Sequence, residues 1–388
     1  MNNLIVKYLF LLDIQFYMMK YEEEYWIDYI KNNELNKKEA SELLNLDIYS
    51  LMKIGDSLRS FDTGDTVSYA VSYNINYTNY CTASCPICAF YTPYKIKKYE
   101  INKPNKKGYE LSLDDIKKDI EKAKALNVTE IHIVGGFNPD LSIEYYESLF
   151  KEVKKYLPDV TLKAFTIPEI DFISRTHGVS IKDLIQRLKE AGMDAHTGGG
   201  AEIFNENVRK LITTPEKISG EKWLEDAKLI HSLGIYGNST MTYGHLENFD
   251  DIIDHMIRLR DNQIDTPGFL SFIPLKFSIE NTPLYKMGKV RYPSSGDKDI
   301  KVYALARAIL GKSIRNISVY WVALGKEMAQ IALLSGGSDL VGTAFSEKVF
   351  GATNRKTSTS IEELNHLINE IGRIPALRDT FYNLKEYY

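Results

Sequence analysis

From residue 66 onward, short β-rich segments alternate with amphipathic segments about every thirty residues. Seven strand candidates lie at residues 66–76, 129–134, 160–166, 193–196, 235–243, 269–275 and 316–324. The segments between them carry apolar residues at the i, i+3, i+4 spacing of a helix that buries one face. Strands joined by helices form a parallel sheet, and this many units favour closure into a (β/α)8 barrel. An open doubly wound α/β sheet is the alternative fold.

The rest of the chain is predicted to extend this barrel at both ends. Residues 1–64 form an N-terminal helical extension, residues 65–345 the barrel, and residues 346–388 a C-terminal helical segment packed on it. The first 18 residues are apolar but interrupted by Lys7, Asp13 and Gln15. They therefore lack the roughly 20 apolar residues of a membrane span. We expect an N-terminal helix or a start-site extension there, with a targeting segment as the alternative, and no membrane span elsewhere.

Composition excludes some classes of function. The formal net charge of −4 argues against a nucleic-acid-binding protein, which normally has a basic face. Hydrophobic residues make up 44% of the chain, which is enough for a sizeable core. The three cysteines are too few and too clustered for a disulfide framework, so we expect a reducing, cytoplasmic location.

All three cysteines lie in the stretch NYCTASCPICAFY, at residues 79–91. Cys81, Cys85 and Cys88 follow the first barrel strand, and loops at this end of the strands carry the chemistry in such barrels. Zinc would need a fourth ligand, and C-x3-C-x2-C is an unusual zinc spacing. Iron-sulfur clusters prefer thiolates, and a [4Fe-4S] cluster held by three cysteines keeps one iron open. A zinc-bound or otherwise non-catalytic metal-binding barrel is the alternative.

This cysteine motif at the end of a first barrel strand resembles the signature of the radical S-adenosylmethionine (SAM) superfamily. The resemblance implies a radical SAM barrel of the TIM type, with a [4Fe-4S] cluster whose open iron binds SAM. One electron from the cluster would cleave SAM to give a 5′-deoxyadenosyl radical. The chain departs from the usual pattern at Ile87, where an aromatic residue is common, although Phe90 and Tyr91 follow closely.

Two glycine-rich loops fit the same interpretation. VGGFNPD (134–140) contains Gly135 and Gly136, which allow a close backbone approach. This stretch resembles the motif that receives the SAM amino group. AHTGGGAEIF (195–204) places Glu202 where it could bond a ribose hydroxyl or the SAM amine, and Tyr243 is a further candidate for SAM binding. Ordinary turns and a structural glutamate are the alternative for both loops.

Other polar residues at strand ends and loops are candidates for substrate binding or catalysis. They are Asn138, His196, His245, Lys163, Arg175, Arg209 and Lys276. The cations among them could pair with substrate carboxylates, which are costly to bury alone. Solvation at the surface is the alternative for these cations, and a structural role is the alternative for the histidines.

Longer stretches narrow the resemblance. GGGAEIF, TYGHLEN, GFLSFIPLKFSIENTPL and GRIPALRDTFYN resemble a family that contains aminofutalosine synthase, dehypoxanthinyl futalosine cyclase and the F0 synthase subunit. The resemblance runs from about residue 30 to the C-terminus. LKAFTIPEIDF, FIPLKF and YWVALG are similar to the synthase, and the cyclase typically has other residues at Leu275 and Leu324. Asn138 is instead shared with the cyclase and the F0 synthase subunit, and residues 195–197 depart from the usual Ser-Met-Pro.

This resemblance implies a transferase that forms C–C bonds by radical chemistry. As aminofutalosine synthase, the protein would add the 5′-deoxyadenosyl radical to 3-[(1-carboxyvinyl)oxy]benzoate with decarboxylation. The product would be 6-amino-6-deoxyfutalosine in menaquinone biosynthesis, with SAM as a co-substrate and flavodoxin or ferredoxin as the reductant. A sibling activity, either the cyclase or an F0-synthase-like reaction, is the alternative. The sequence leaves the oligomeric state open, with a homodimer as one option.

Overall fold

A computed structural model describes residues 19–103 and 107–388 of the chain. The expected helix or targeting segment at residues 1–18 lies outside the described residues. Across the two described ranges, no helix is both long enough and apolar enough to cross a membrane.

The strands are short and mostly buried. They are β1 (Thr66–Ala70), β2 (Ser72–Ile75), β3 (Tyr80–Cys81), β4 (Thr92–Pro93), β5 (Glu130–Ile133), β6 (Thr161–Ala164), β7 (Ala195–His196), β8 (Tyr236–Tyr243), β9 (Phe269–Lys276), β10 (Asp339–Gly342), β11 (Ile374–Arg378) and β12 (Leu384–Tyr387). Strands β2, β5, β6, β7, β8 and β9 form a parallel sheet in that order. Each predicted strand up to residue 276 therefore exists in the structure.

The sheet closes into a barrel through isolated bridges. Phe272 pairs with Ile317, and Ser318 pairs with Asp339 at the start of β10. Strand β10 pairs in parallel with β1, which continues directly into β2. Because these pairings return to the first strand, eight parallel segments complete a ring within the described residues. The predicted (β/α)8 barrel is confirmed, and the open-sheet alternative is wrong.

Helices surround the ring. Their bounds are α1 (residues 19–32), α2 (Lys37–Leu43), α3 (Ile48–Thr63), α4 (Lys97–Glu100), α5 (Leu113–Ala125), α6 (Ile143–Tyr156), α7 (Ile167–His177), α8 (Ile181–Ala191), α9 (Glu206–Ile212), α10 (Gly220–Ser232), α11 (Phe249–Asp265), α12 (Pro283–Lys286), α13 (Gly296–Leu310), α14 (Trp321–Leu324), α15 (Lys326–Leu333) and α16 (Ile361–Glu370). Capping boxes begin several of them: Thr166 and Glu169 cap α7, and Asn248 and Asp251 cap α11. These side chains satisfy backbone N–H groups that a helix start leaves unpaired.

The N-terminal helices pack against the outer helices of the barrel. Helix α3 lies on α13, and α2 lies on α11. The approach of α3 is close: a Cβ at Gly55 would lie 2.3 Å from the backbone oxygen of Ser335. Arg307 of α13 is buried and donates to the Asp62 carboxylate of α3 at 2.6 Å. The N-terminal helices are thus fixed to the barrel by both packing and charge.

Two predicted elements differ from the structure. Of the strand predicted at residues 316–324, only the start forms bridges, because helix α14 begins at Trp321. The indole N–H of Trp321 donates to the Gly342 carbonyl at 2.8 Å, which ties this helix to the end of β10. The C-terminal segment is not only helical. After α16 it continues as β11 and β12, and β11 pairs in parallel with β1.

Candidate active site

The three cysteines lie at the wall of a cavity of about 370 Å³ inside the barrel. Cys81 ends β3, and Cys85 and Cys88 follow in a loop closed by a bond from the Cys88 N–H to the Cys85 carbonyl at 3.0 Å. The N–H of Thr82 donates to the Phe137 carbonyl at 3.0 Å, which ties this loop to the one after β5. All three thiols are free. The predicted grouping of the cysteines at one barrel opening therefore exists in the structure.

These thiols suit an iron-sulfur cluster better than a single ion. In the two described ranges, no group of three His, Cys, Asp or Glu side chains is arranged to hold one metal ion. A cluster makes a different demand, because each cysteine binds its own iron at a corner of the group. Burial raises the pKa of the Cys85 thiol and raises that of Cys88 to about 12. Ligation would offset that cost, since a metal favours the thiolate.

The glycines after β5 have a clear packing role. A Cβ at Gly136 would lie 2.3 Å from the backbone oxygen of Tyr80, and one at Gly135 would lie 2.7 Å from the Tyr77 ring. Both glycines line the cavity, and the Gly135 N–H donates to Glu169 at 2.8 Å. The missing side chains let this loop press against the segment that carries the first cysteine. Their predicted contact with SAM stays a prediction.

Glu202 lines the cavity close to the cysteines and is held by two partners. Lys217 bonds one carboxylate oxygen, and the Thr242 hydroxyl donates to the other at 2.7 Å. Burial by itself raises the pKa of Glu202, but the charge of Lys217 and both hydrogen bonds outweigh it and lower the pKa to about 2. The residue is therefore a fixed anion at neutral pH. Lys217 and Thr242 were missed by sequence reasoning, because Lys217 lies outside every motif and Thr242 opens the TYGHLEN stretch without a catalytic residue type.

Arg209 and His245 brace loops and do not line the cavity. The buried Arg209 guanidinium donates to the carbonyls of Ala201 and Ile203 and to those of residues 200 and 218. Its donors are used to hold the GGGAEIF loop, so it has none left for a substrate carboxylate. The His245 ring lies 3.0 Å from the Glu247 carboxylate and 2.9 Å from the Thr242 carbonyl, which stabilises the turn after β8.

His196 and Tyr243 face the outer helices. His196 stacks on His231 of α10, with 3.1 Å between their Nε2 atoms. The Tyr243 hydroxyl donates to Asp299 of α13 at 3.0 Å. Alternate residues of a strand point to opposite faces, and these two side chains lie on the outer one. Neither lines the cavity, contrary to the predicted roles in binding substrate or SAM.

Asn138 and Arg175 also lie away from the cavity wall. The Asn138 amide donates to Glu110 at 3.0 Å, and its oxygen accepts from the Asp140 N–H at 3.2 Å. Arg175 is half exposed on α7 and pairs with Asp171 at 2.7 Å. Asn138 shapes the loop that follows the two glycines, and Arg175 stabilises its own helix.

Lys163 and Lys276 do line the cavity, and both already have an acidic neighbour. The Lys276 ammonium lies 2.6 Å from Asp299, and the Lys163 ammonium lies 3.6 Å from Glu130. Of the four predicted cations, Lys163 points into the barrel, whereas Lys276 is in register with Tyr243 and its ammonium is held by Asp299 of α13. Which group they bind stays a prediction.

Sequence reasoning identified only Lys163 of a polar layer deep in the barrel, which we call the cavity floor. It consists of Asn74, Glu130, His132, Lys163, Asn238 and Arg378, all of which line the cavity. Barrel interiors are usually filled with branched apolar residues, so polar residues here are unusual. Glu130 and His132 alternate with isoleucines along β5, and that alternation is the signal that could have revealed them. Arg378 carries no such signal, because it comes from the C-terminal strand β11.

A closed parallel barrel with three free cysteines at its opening is the arrangement expected of an iron-sulfur enzyme. The sequence matches the Radical SAM superfamily over residues 75–259 and the CofH/MqnC C-terminal region over residues 266–388. The chain therefore belongs to the radical SAM superfamily, in the group that carries the CofH/MqnC C-terminal region. This confirms the resemblance of the cysteine motif, and it argues against the non-catalytic metal-binding barrel.

Relatives are similar along nearly the whole chain. A 5-amino-6-(D-ribitylamino)uracil–L-tyrosine 4-hydroxyphenyl transferase from Methanocaldococcus jannaschii is 36% identical over 363 residues, 92% of this chain and 98% of that protein. One from Methanococcoides burtonii is 35% identical over 89% of this chain and 94% of that protein. The crystal structure of methylornithine synthase has the same fold, with a TM-score of 0.67 at 15% identity, covering 89% of this chain and 96% of that one.

Membership of this superfamily identifies the cofactors, and the named relatives change which activity within the family is favoured. As a radical SAM enzyme, the protein uses a [4Fe-4S] cluster and SAM as a co-substrate, as the cysteine motif predicted. The curated relatives favour the F0-synthase-like alternative over aminofutalosine synthase, and they give no support to the futalosine pathway. The expected small-molecule substrates fit this family, while the benzoate substrate and the reductant have no support beyond the resemblance.

Proposed function

We propose that this chain transfers the 4-hydroxyphenyl group of L-tyrosine to 5-amino-6-(D-ribitylamino)uracil by radical SAM chemistry. The observation that carries this proposal is the similarity to transferases of that name, at 34–36% identity over about nine-tenths of the chain. Asn138, a residue shared with the F0 synthase subunit and with the cyclase, argues against aminofutalosine synthase and is consistent with this proposal.

The chain's own residues fit the cofactors that this reaction requires. When bound, the cluster and SAM supply a carbon-centred radical inside the barrel. Cys81, Cys85 and Cys88 would hold the cluster. Glu202, fixed as an anion by Lys217, would accept hydrogen bonds from SAM, and Gly135 and Gly136 keep the adjacent wall free of side chains. These roles rest on the placement of the residues around one cavity.

The wall between the cysteines and the floor is largely apolar. Phe137, Leu275 and Phe277 contribute to it. An aromatic ring such as that of tyrosine can pack against these side chains, and an apolar wall has few polar groups that would bind water. Excluding water protects a reactive intermediate from side reactions. The apolar wall thus supports an aromatic substrate, whereas the polar floor suits a different part of the chemistry.

The test is an anaerobic reaction of the reconstituted protein. The cluster is rebuilt with iron and sulfide, and dithionite, SAM, ring-labelled L-tyrosine and 5-amino-6-(D-ribitylamino)uracil are added. We expect a product that contains both the uracil and the labelled ring, seen by mass spectrometry. The Cys85→Ala protein serves as the matched control and should make none.

Other products would point elsewhere in the family. In a parallel reaction, 3-[(1-carboxyvinyl)oxy]benzoate replaces the tyrosine and the uracil. An adduct that contains the adenosyl group would support aminofutalosine synthase and refute the proposal. Cleavage of SAM without any product from either substrate pair would also refute it and direct attention to the cyclase substrate.

A further inference from the structure

The cavity floor is built from positions in register on adjacent strands. Asn74 of β2 is paired in register with His132 of β5, and His132 is paired with Lys163 of β6. Residues in register point to the same face of a sheet and lie about 5 Å apart. The three side chains therefore form one row across the inside of the barrel, and Asn238 of β8 lines the same cavity. The row is a built polar surface, not a chance group of polar residues.

The floor keeps hydrogen-bonding capacity that the protein does not use. His132 Nε2 lies 2.7 Å from Glu130, and a carboxylate can only accept, so this nitrogen carries the hydrogen. In the described part of the chain no group bonds Nδ1, which is left as an acceptor. The Asn238 oxygen has no hydrogen-bond partner among the described residues, and the Asn238 residue is buried, with only 5% of its surface exposed. The Lys163 ammonium lies 3.6 Å from the Glu130 carboxylate. Of these groups the Asn238 oxygen is buried without a partner in the two described ranges, and an unsatisfied buried polar group is costly, so a bound ligand is its natural partner.

The C-terminal hairpin fixes this surface from below. Arg378 donates to the Asp339 carboxylate at 2.6 and 3.2 Å and lies 3.7 Å from Glu130. The Thr380 hydroxyl donates to Glu130 at 2.6 Å. Glu130 in turn holds the His132 ring, so the hairpin sets the orientation of the floor's free acceptor. Arg378 and Thr380 are therefore positioning residues.

The charges of the floor are already balanced. Lys163 and Arg378 are matched by the two carboxylates of Glu130 and Asp339. A ligand carboxylate would add an uncompensated negative charge in a buried place, which is unfavourable. A neutral group with several N–H, O–H and C=O functions would instead satisfy the free donor and acceptors. The floor is thus suited to a heterocycle or a polyol and not to the carboxylate of an amino acid.

We infer that the cavity floor is the recognition site for the neutral uracil ring or ribityl chain of the acceptor substrate. This inference rests on the proposed function, because it takes the identity of the acceptor from it. The amino-acid substrate then lies nearer the cysteines, against the apolar wall. The Asn238 oxygen and His132 Nδ1 accept hydrogen bonds from N–H or O–H groups of the uracil substrate. The Lys163 ammonium donates to the carbonyl or hydroxyl oxygens of the same substrate.

The test compares two buried asparagines in the reconstituted holoenzyme. Asn238→Leu removes the free acceptor of the floor, and Asn238→Ala does so without needing extra space. Asn262→Leu is the matched control, because the Asn262 oxygen is also buried without a partner in the described residues, yet this side chain does not line the cavity. The dissociation constant of 5-amino-6-(D-ribitylamino)uracil and the KM values of the uracil and of tyrosine are measured, with circular dichroism as the check of folding.

We expect both Asn238 variants to weaken uracil binding about tenfold or more, while the KM for tyrosine changes less than threefold, as one lost hydrogen bond to a buried group predicts. Asn262→Leu should leave both constants unchanged. An unchanged uracil affinity in folded Asn238 variants, or a larger effect on tyrosine, would overturn the inference while wild-type turnover still supports the proposed function. Failure of the wild-type protein to bind the uracil or to form product would instead refute the proposed function, and the inference with it.

Discussion

Replacing Lys217 with methionine should destabilise the protein, because it leaves the buried Glu202 carboxylate without its cationic partner. In the native protein Lys217 and Thr242 lower the pKa of Glu202 from 4.5 to about 2 despite its burial. A change of that size corresponds to about 3 kcal/mol in favour of the charged carboxylate. Methionine keeps most of the side-chain volume but removes the charge, so we expect Lys217→Met to lose about 3 kcal/mol at pH 7. For a chain of this length, that loss lowers the melting temperature by about 4 °C.

The pH dependence follows from the direction of the shift. Because the folded pKa of Glu202 lies below its ordinary value of 4.5, its stabilisation is fully present above about pH 4.5 and is lost as the pH falls through about 2. In the variant, burial acts alone and raises the pKa of Glu202. The difference between the two proteins should therefore be largest near neutral pH and should shrink in acid.

Thermal unfolding followed by circular dichroism measures the effect. Lys228→Met is the matched control, since it removes an exposed pair with Asp265 and should change the stability by less than about 0.5 kcal/mol. Adding Glu202→Gln to Lys217→Met removes the unpaired charge and should recover most of the loss. The reasoning would be refuted by a Lys217→Met protein that melts within 1 °C of wild type, or by a double variant that melts no higher than the single one.

Three further changes test other parts of the structure. Cys85→Ala should leave the circular dichroism spectrum intact but abolish the brown iron-sulfur absorbance after reconstitution, and retained cluster would contradict the ligand assignment. Gly136→Ala should cost about 1–3 kcal/mol and weaken SAM binding, because its Cβ would lie 2.3 Å from the Tyr80 oxygen. Gly351→Ala is its control, because a Cβ added at Gly351 would lie 3.7 Å from its nearest neighbour, the Thr357 side chain. Equal melting temperatures of the Gly136→Ala and Gly351→Ala proteins would count against the packing argument. Burial raises the pKa of Glu347 to about 7, so stability should fall as pH rises from about 4.5 to 7. Glu347→Gln should remove that slope, and melting curves from pH 4 to 8 that keep it would exclude Glu347 as the cause.

Much of the fold could be predicted because the signals are local. The amphipathic stripes of helices such as α6 and α8 and the β-rich runs at β5 and β6 depend on residues close together in the chain. Strand β10 was missed because DLVG is short and follows two glycines. Strand β11 could not be predicted, since it pairs with β1, about 300 residues away, and β12 pairs in turn with β11.

The candidate site divides in the same way. The cysteines and glycines were found because their spacing within one loop carries the information. Lys217, His132 and Arg378 were missed, because each reaches the cavity from a different element. His196, Tyr243 and Arg209 were assigned to the site because they lie in the right segments, but only a structure shows which face of a strand or loop a side chain occupies.

The sequence by itself determined the class of chemistry: three cysteines in eight positions at the end of the first barrel strand specify the cluster, and periodic strands and helices specify the barrel that surrounds it. The tertiary structure decided what lines the cavity. Closure of the ring and insertion of the C-terminal hairpin bring Glu130, Lys163 and Arg378 together across more than 200 residues of chain. Such contacts depend on packing between distant segments, and no local pattern of residues encodes them.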